Sequence, residues 1–131
     1  MENPIIADDY EKTKKEAELF YSRIGRVWCP AIGDFIYFGK AGFRHLIQKG
    51  KRFRPRSEQK RRFLLLVHAK DILSDPQIHF DDRRDQNNPD VRYWNFSAHK
   101  EDKSIELIAI QIKTGKKYFL SIYAKRQKPT S

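Results

Sequence analysis

Cysteine is almost missing from this chain. Cys29 stands alone, which excludes an internal disulfide and any multi-cysteine zinc or iron–sulfur site and fits a reducing compartment. Long apolar runs are missing as well: no stretch approaches the roughly 18 residues of a spanning helix. The N-terminal segment sets Glu2, Asp8 and Asp9 around Ile5, Ile6 and Ala7, with no signal-peptide core. A soluble, cytoplasmic protein without membrane association is therefore expected. Acids are scarce, 17 Asp plus Glu against 27 Lys plus Arg, and the resulting net charge of +10 favours a polyanionic partner over a small neutral substrate. The four histidines show no HExxH, His-x-His or carboxylate-paired spacing, so no metal or other cofactor is expected. Gly33, Gly39 and Lys40 have the wrong spacing for a phosphate loop, and Ala41 stands where Ser or Thr would hold magnesium. No GxSxG or cysteine-centred nucleophile exists, and Cys29 beside Pro30 reads as a small packed residue.

What is present suits one domain over residues 1–131, with 39% apolar residues to build a core. Residues 8–24 read as a helix capped by Asp8, with Glu11 three residues on, apolar positions at helical spacing and Gly25 as the stop, so the N-terminal helix occupies 8–25. Trp28, Cys29 and Pro30 read as a linker to a strand over 35–38, and 43–48 as a brief helix closed by Gly50. Pro55 breaks the chain, and Ser57 is placed to cap a helix over 58–73 with Leu65, Leu66, Ala69, Ile72 and Leu73 as its buried stripe. The period then changes from 3.6 to 2. Strands are expected over 77–80, 91–97, 105–112 and 117–124, the third central, with a polar loop over 81–90, a hairpin turn over 113–116 and a frayed tail over 126–131. The order gives an α+β fold in which N-terminal helices pack on one face of a four-stranded antiparallel sheet. Strict alternation in the last strand sends Tyr118, Leu120 and Ile122 to one face and Lys117, Phe119, Ser121 and Tyr123 to the other. Polar and aromatic residues thus collect on an open surface of the kind that holds a nucleotide.

Residues 49–62 carry eight cations, Lys49, Lys51, Arg52, Arg54, Arg56, Lys60, Arg61 and Arg62, against the single acid Glu58. Such a segment is either a phosphate-binding surface or a solvated loop and helix start. Arg62 is the best single candidate, since it lies one turn before Leu65, Leu66 and Ala69 and leans toward the packed side. His45, just after Gly39 to Arg44, is either a proton carrier near a phosphate or a helix-surface histidine. His68 reads as structural or exposed, and His79 and His99 have no clear role. Ser121 offers a hydroxyl to a phosphate oxygen or a satisfied sheet position, and Tyr93 and Tyr123 either stack on a base or cover the sheet.

The residues 40–47 (KAGFRHLI), Arg54-Pro55 before a helix rich in Arg and Leu, then 72–76 (ILSDP), then 118–123 (YFLSIY) resemble the phage-associated branch of the barnase–EndoU–colicin–RelE (BECR) nuclease superfamily. The resemblance covers residues 34–125, 92 of the 131. It implies a metal-independent ribonuclease of toxins, phages or mobile elements that cleaves by 2′-hydroxyl transesterification, leaving a 2′,3′-cyclic phosphate and a 5′-hydroxyl. The resemblance implies that the family's histidine falls at His45, its helix cation at Arg62 or a neighbour and its last-strand hydroxyl at Ser121. The chemistry then gives proton transfer to His45, charge stabilisation to Arg62, a phosphoryl hydrogen bond to Ser121 and a base or phosphate contact to Tyr93. RNA contacts are expected from Arg44, Lys51, Arg52, Arg54, Arg56, Arg61, Lys117 and Tyr123. The implied partners are RNA, either tRNA or mRNA, and an acidic antitoxin or immunity protein. Two other classes fit the same charge: a non-catalytic RNA- or DNA-binding module, and an interaction protein for an acidic partner.

Overall fold

Asp9 is extended and its carboxylate accepts the Lys12 backbone N–H at 2.9 Å, which caps α1 (Tyr10–Ile24). The computed structural model describes residues 3–5 and 9–125, so the expected cap Asp8 and the tail 126–131 lie outside the described residues. Gly25 ends α1 at φ +67°, a conformation that glycine adopts without a steric cost. The supposed linker is in fact a strand. β1 (Arg26–Cys29) pairs antiparallel with β2 (Asp34–Tyr37), with Val27 and Cys29 buried and Arg26 and Trp28 exposed. Four residues of alternation followed by proline are too short a signal to read from sequence.

α2 (Lys40–Ile47) leads into a small hairpin of β3 (Gln48–Lys49) and β4 (Arg52–Phe53), which turns at Gly50. α3 (Arg56–Leu65) starts directly behind Pro55, so Ser57 sits inside its first turn and caps nothing. Proline fits there because the N–H it lacks would have no helical partner. The expected single helix over 58–73 is broken by a 3-10 turn (Leu66–His68) before α4 (Ala69–Ser74), yet the stripe of Leu65, Leu66, Ala69, Ile72 and Leu73 is buried throughout. Four long strands follow: β5 (His79–Arg84), β6 (Val91–Lys100), β7 (Lys103–Ile112) and β8 (Lys117–Lys125). The cross-strand pairing of β5 with β6 takes up Asp81 to Arg84, the first four residues of the polar stretch taken for a loop.

The four-stranded antiparallel sheet expected from the sequence is corrected to a mixed sheet of six strands in the order β1-β2-β8-β7-β6-β5. β5 to β8 form the antiparallel meander, while β2 joins β8 in parallel at Ile36–Lys117 and Tyr37–Tyr118. A parallel neighbour needs a long crossover, and here nearly eighty residues separate the two strands, which is why pairing rules for adjacent segments miss it. The helices cover the face that carries Val27, Cys29, Ile36, Phe96, Ile105, Leu107, Ala109, Phe119 and Ile122, all buried. That burial is the main source of stability.

A bulge in β8 corrects the alternation. Ala109 pairs with Phe119 and Ile108 with Ser121, so Leu120 is the extra residue. Paired residues share a face, so Phe119, Ile122 and Ala124 point toward the helices, while Tyr118, Ser121 and Tyr123 share the opposite face. A regular strand would have put Ser121 beside Phe119 in the core.

α2 approaches β8 most closely at Gly42. A Cβ there would lie 2.5 Å from both the Phe119 carbonyl oxygen and the Tyr21 hydroxyl. Helix propensity alone would make Gly42→Ala stabilising by about 1 kcal/mol, but overpacking against backbone costs about 1–3 kcal/mol. Gly42→Ala is therefore expected to lower the midpoint of urea unfolding; a raised midpoint would show that α2 can move away from the sheet.

Candidate functional site

β2 covers β8 only as far as Tyr118, and from Phe119 onward the same edge is covered by α2 and α3. Arg62 on α3 reaches this edge. Its Nη1 donates to Ser121 Oγ at 2.7 Å and to the Ile122 carbonyl at 3.4 Å, its Nη2 donates to Glu58 Oε1 at 3.1 Å, and its plane lies 5.4 Å from the Tyr123 ring centre. Only 12% of the Arg62 side chain is exposed. Glu58 shares the same carboxylate oxygen with Arg54 Nη1 at 3.6 Å, so one acid bridges two guanidinium groups. A buried cation needs such partners, because desolvation without them costs several kcal/mol.

Arg54 ties α2 to α3. Its Nε donates to the His45 carbonyl at 3.0 Å and its Nη2 lies 3.5 Å from His45 Nδ1. Its own carbonyl accepts from the buried Gln59 side chain at 2.7 Å, and Gln59 in turn accepts from the Tyr10 hydroxyl. α1, α2 and α3 are thus linked through one polar chain that fixes where the imidazole sits. His45 is half-buried, and its pKa is lowered first by burial and then by the charges of Arg54, Arg62 and Lys49. Burial and neighbouring cations both disfavour the imidazolium, so the ring stands in its neutral form, the one with a free lone pair for a proton, although it is a weaker base than a solvated imidazole. Beside the cluster, between Glu58, Arg61 and Arg62 on one side and Tyr123 and Lys125 on the other, opens a cavity of about 470 Å³.

The structure therefore brings together His45, Arg54, Arg62, Ser121 and Tyr123, with Arg61 at the cavity rim. Arg44 is exposed on α2, and Lys51 and Arg52 are exposed on the β3–β4 hairpin. Arg56 faces α1, with its plane 4.4 Å from the Tyr10 ring and its Nη2 3.9 Å from Glu11. Two of the expected residues sit elsewhere. Lys117 is on the helix-covered face, bonded to Asp34, whose carboxyl it holds below the usual range, and it lies 5.2 Å from the Trp94 ring. Tyr93 shares the open face with Ser121 but stands two strands away, across Ile110, bonded to Asp85 at 3.4 Å and covered by Arg83 at 4.6 Å. His68 lies in the 3-10 turn, 3.8 Å from Glu101, and Cys29 is fully buried, which pushes its thiol pKa up.

Sequence reading missed Glu58 as the bridge between two arginines, although its i,i+4 spacing to Arg54 and Arg62 is visible in the chain. It also missed Asn95. Among the described residues two buried side-chain atoms lack a hydrogen-bond partner, Arg62 Nε and Asn95 Oδ1. Asn95 lies in the same cross-strand row as Ser121, with Ile108 between them. No family model, no curated protein and no solved structure matches this chain. Among the described residues no helix is long and apolar enough to cross a membrane.

The lowered pKa of His45 sets a pH dependence of stability. Between the folded pKa and the unfolded value near 6.5, the unfolded chain takes up a proton that the folded chain refuses. Stability from this residue is thus complete above pH 6.5 and lost as pH falls below it. Urea midpoints measured across mildly acidic pH are expected to fall, and His45→Gln should flatten that fall; an unchanged slope would mean that the ring titrates as in water.

Proposed function

We propose that this protein is a metal-independent RNA endonuclease acting in the cytoplasm as a toxin or as a phage or mobile-element effector. The observation that carries the reading is the convergence of His45, Arg54, Arg62 and Ser121 at the bulged edge of β8. It lends support to the resemblance to BECR nucleases by grouping side chains drawn from three separate elements.

The chemistry follows from the protonation states. His45, kept neutral by burial and neighbouring cations, accepts the proton of a ribose 2′-hydroxyl. The 2′ oxygen attacks phosphorus as the bond to the 5′ oxygen breaks, and the proton is returned to that departing oxygen. Arg62 and Arg54 balance the charge that builds on the pentacoordinate phosphorus. Ser121 accepts from Arg62, which leaves its own O–H to donate to a phosphoryl oxygen. The exposed cations Arg44, Lys51, Arg52 and Arg61 then hold flanking phosphates of tRNA or mRNA. An acidic antitoxin or immunity protein would suit the same surface. A non-catalytic RNA- or DNA-binding module is the second reading, favoured by the burial of Ser121, which is 3% exposed.

Incubation with total RNA in EDTA is expected to yield fragments ending in 2′,3′-cyclic phosphate. His45→Ala should slow cleavage by about a hundredfold to ten-thousandfold, and Arg62→Lys, which keeps charge but loses the fork, by about a hundredfold. Tight, salt-sensitive binding by a folded protein that never produces cyclic-phosphate ends would establish the module instead.

A further inference from the structure

The face of the sheet that the helices leave open carries a second feature at the opposite edge from β5. On β1, β2 and β8 the outward positions are Trp28, Phe35, Tyr37 and Tyr118, with successive ring centres 5.0, 6.4 and 6.0 Å apart. The two end members are the most open, Trp28 at 49% and Tyr118 at 43% exposure. Between them Arg26 lies 4.1 Å from the Phe35 ring and Lys116 lies 4.5 Å from the Tyr37 ring. Neither cation has a carboxylate within ion-pair distance among the described residues. The core does not account for this row, because its inward neighbours Val27, Cys29 and Ile36 already provide the packed face.

We infer that Trp28 and Tyr118 are stacking positions for two unpaired bases of a single-stranded nucleic acid, with Arg26 and Lys116 taking the phosphates between them. The inference rests on the nucleic-acid reading of the site and adds the form of the substrate. Rings interleaved with uncompensated cations match a strand that alternates bases and phosphates, whereas a neutral protein surface would leave the cations without partners. Spacing argues for a single strand. Trp28 and Tyr118 are the two ends of the row, with the Phe35 and Tyr37 rings between them. Bases on these two positions cannot lie on each other as duplex neighbours do at a rise of about 3.4 Å, and an extended, unstacked strand is what fits. Tyr118 also rests on Gly39, just before the helix that bears His45, and precedes Ser121 by three residues on the same face. The row continues across Ile110 to Tyr93 and Arg83, which gives Tyr93 a place in strand binding away from the His45 cluster.

The test uses fluorescein-labelled oligodeoxythymidylate, which lacks the 2′-hydroxyl and is not cut, so its result is independent of catalysis. The single strand is expected to bind and to quench Trp28 emission, with the buried Trp94 unaffected. Trp28→Ala and Tyr118→Ala should each weaken binding by about tenfold to a hundredfold, while Trp28→Phe keeps most of it. Duplex DNA of the same length should bind more weakly and leave Trp28 emission unchanged. Equal affinity in the alanine variants and the parent chain would overturn the inference, as would equal quenching by duplex. Loss of self-association on Trp28→Ala without loss of strand binding would assign the row to a contact between copies. A chain that stacks single strands yet never cuts RNA would uphold this inference and end the nuclease reading.

Discussion

A guanidinium taken out of water must find acceptors, and the position of nearly everything at the candidate site follows from where Arg62 finds them. Its acceptors come from both sides of the β8 edge, Glu58 one helical turn behind it and Ser121 with the Ile122 carbonyl in front. The Ile122 carbonyl is available because β2 stops pairing at Tyr118. The Ser121 hydroxyl is available because the bulge at Leu120 turns it out of the core. Early termination of β2, a bulge in β8 and an arginine on α3 are therefore one arrangement.

The same arrangement holds His45. Arg54 shares Glu58 with Arg62 and bonds the His45 carbonyl, so the imidazole is fixed through its backbone as well as its ring. Burial first, and then the charges of Arg54, Arg62 and Lys49, disfavour the protonated ring, and an imidazole must be neutral to accept a proton. The unpaired Arg62 Nε and Asn95 Oδ1 show that the polar network is not closed within the described residues. The first of these atoms belongs to the fork that reaches Ser121, and the second lies two strands from Ser121, across Ile108.

Much of this was open to reading in the chain. The basic run over 49–62, the inward lean of Arg62, the helix stripe from Leu65 to Leu73, and the three strands from 91 to 124 all rest on local composition or periodicity. The expected sheet was wrong for non-local reasons. β1 is four residues long beside Pro30, and its partner β2 docks on β8 across an intervening stretch that contains most of the domain. The site residues divide in the same way. His45, Arg62 and Ser121 were named one by one, but Lys117 was placed on the face of Ser121 because strict alternation through β8 ignored the bulge, and Tyr93 was grouped with the cluster although β7 separates its strand from β8.

The sequence by itself determined the charge, the single buried thiol, the helical stripe and the period-two meander, because these are properties of neighbouring residues and of side-chain chemistry. Only the tertiary structure decided that β2 lies parallel to β8, that Leu120 is an extra residue, and that Glu58 joins Arg54 to Arg62 beside Ser121. Those features are set by which distant segments share the core, and the free energy of that choice is spread over the whole domain rather than written in any local pattern.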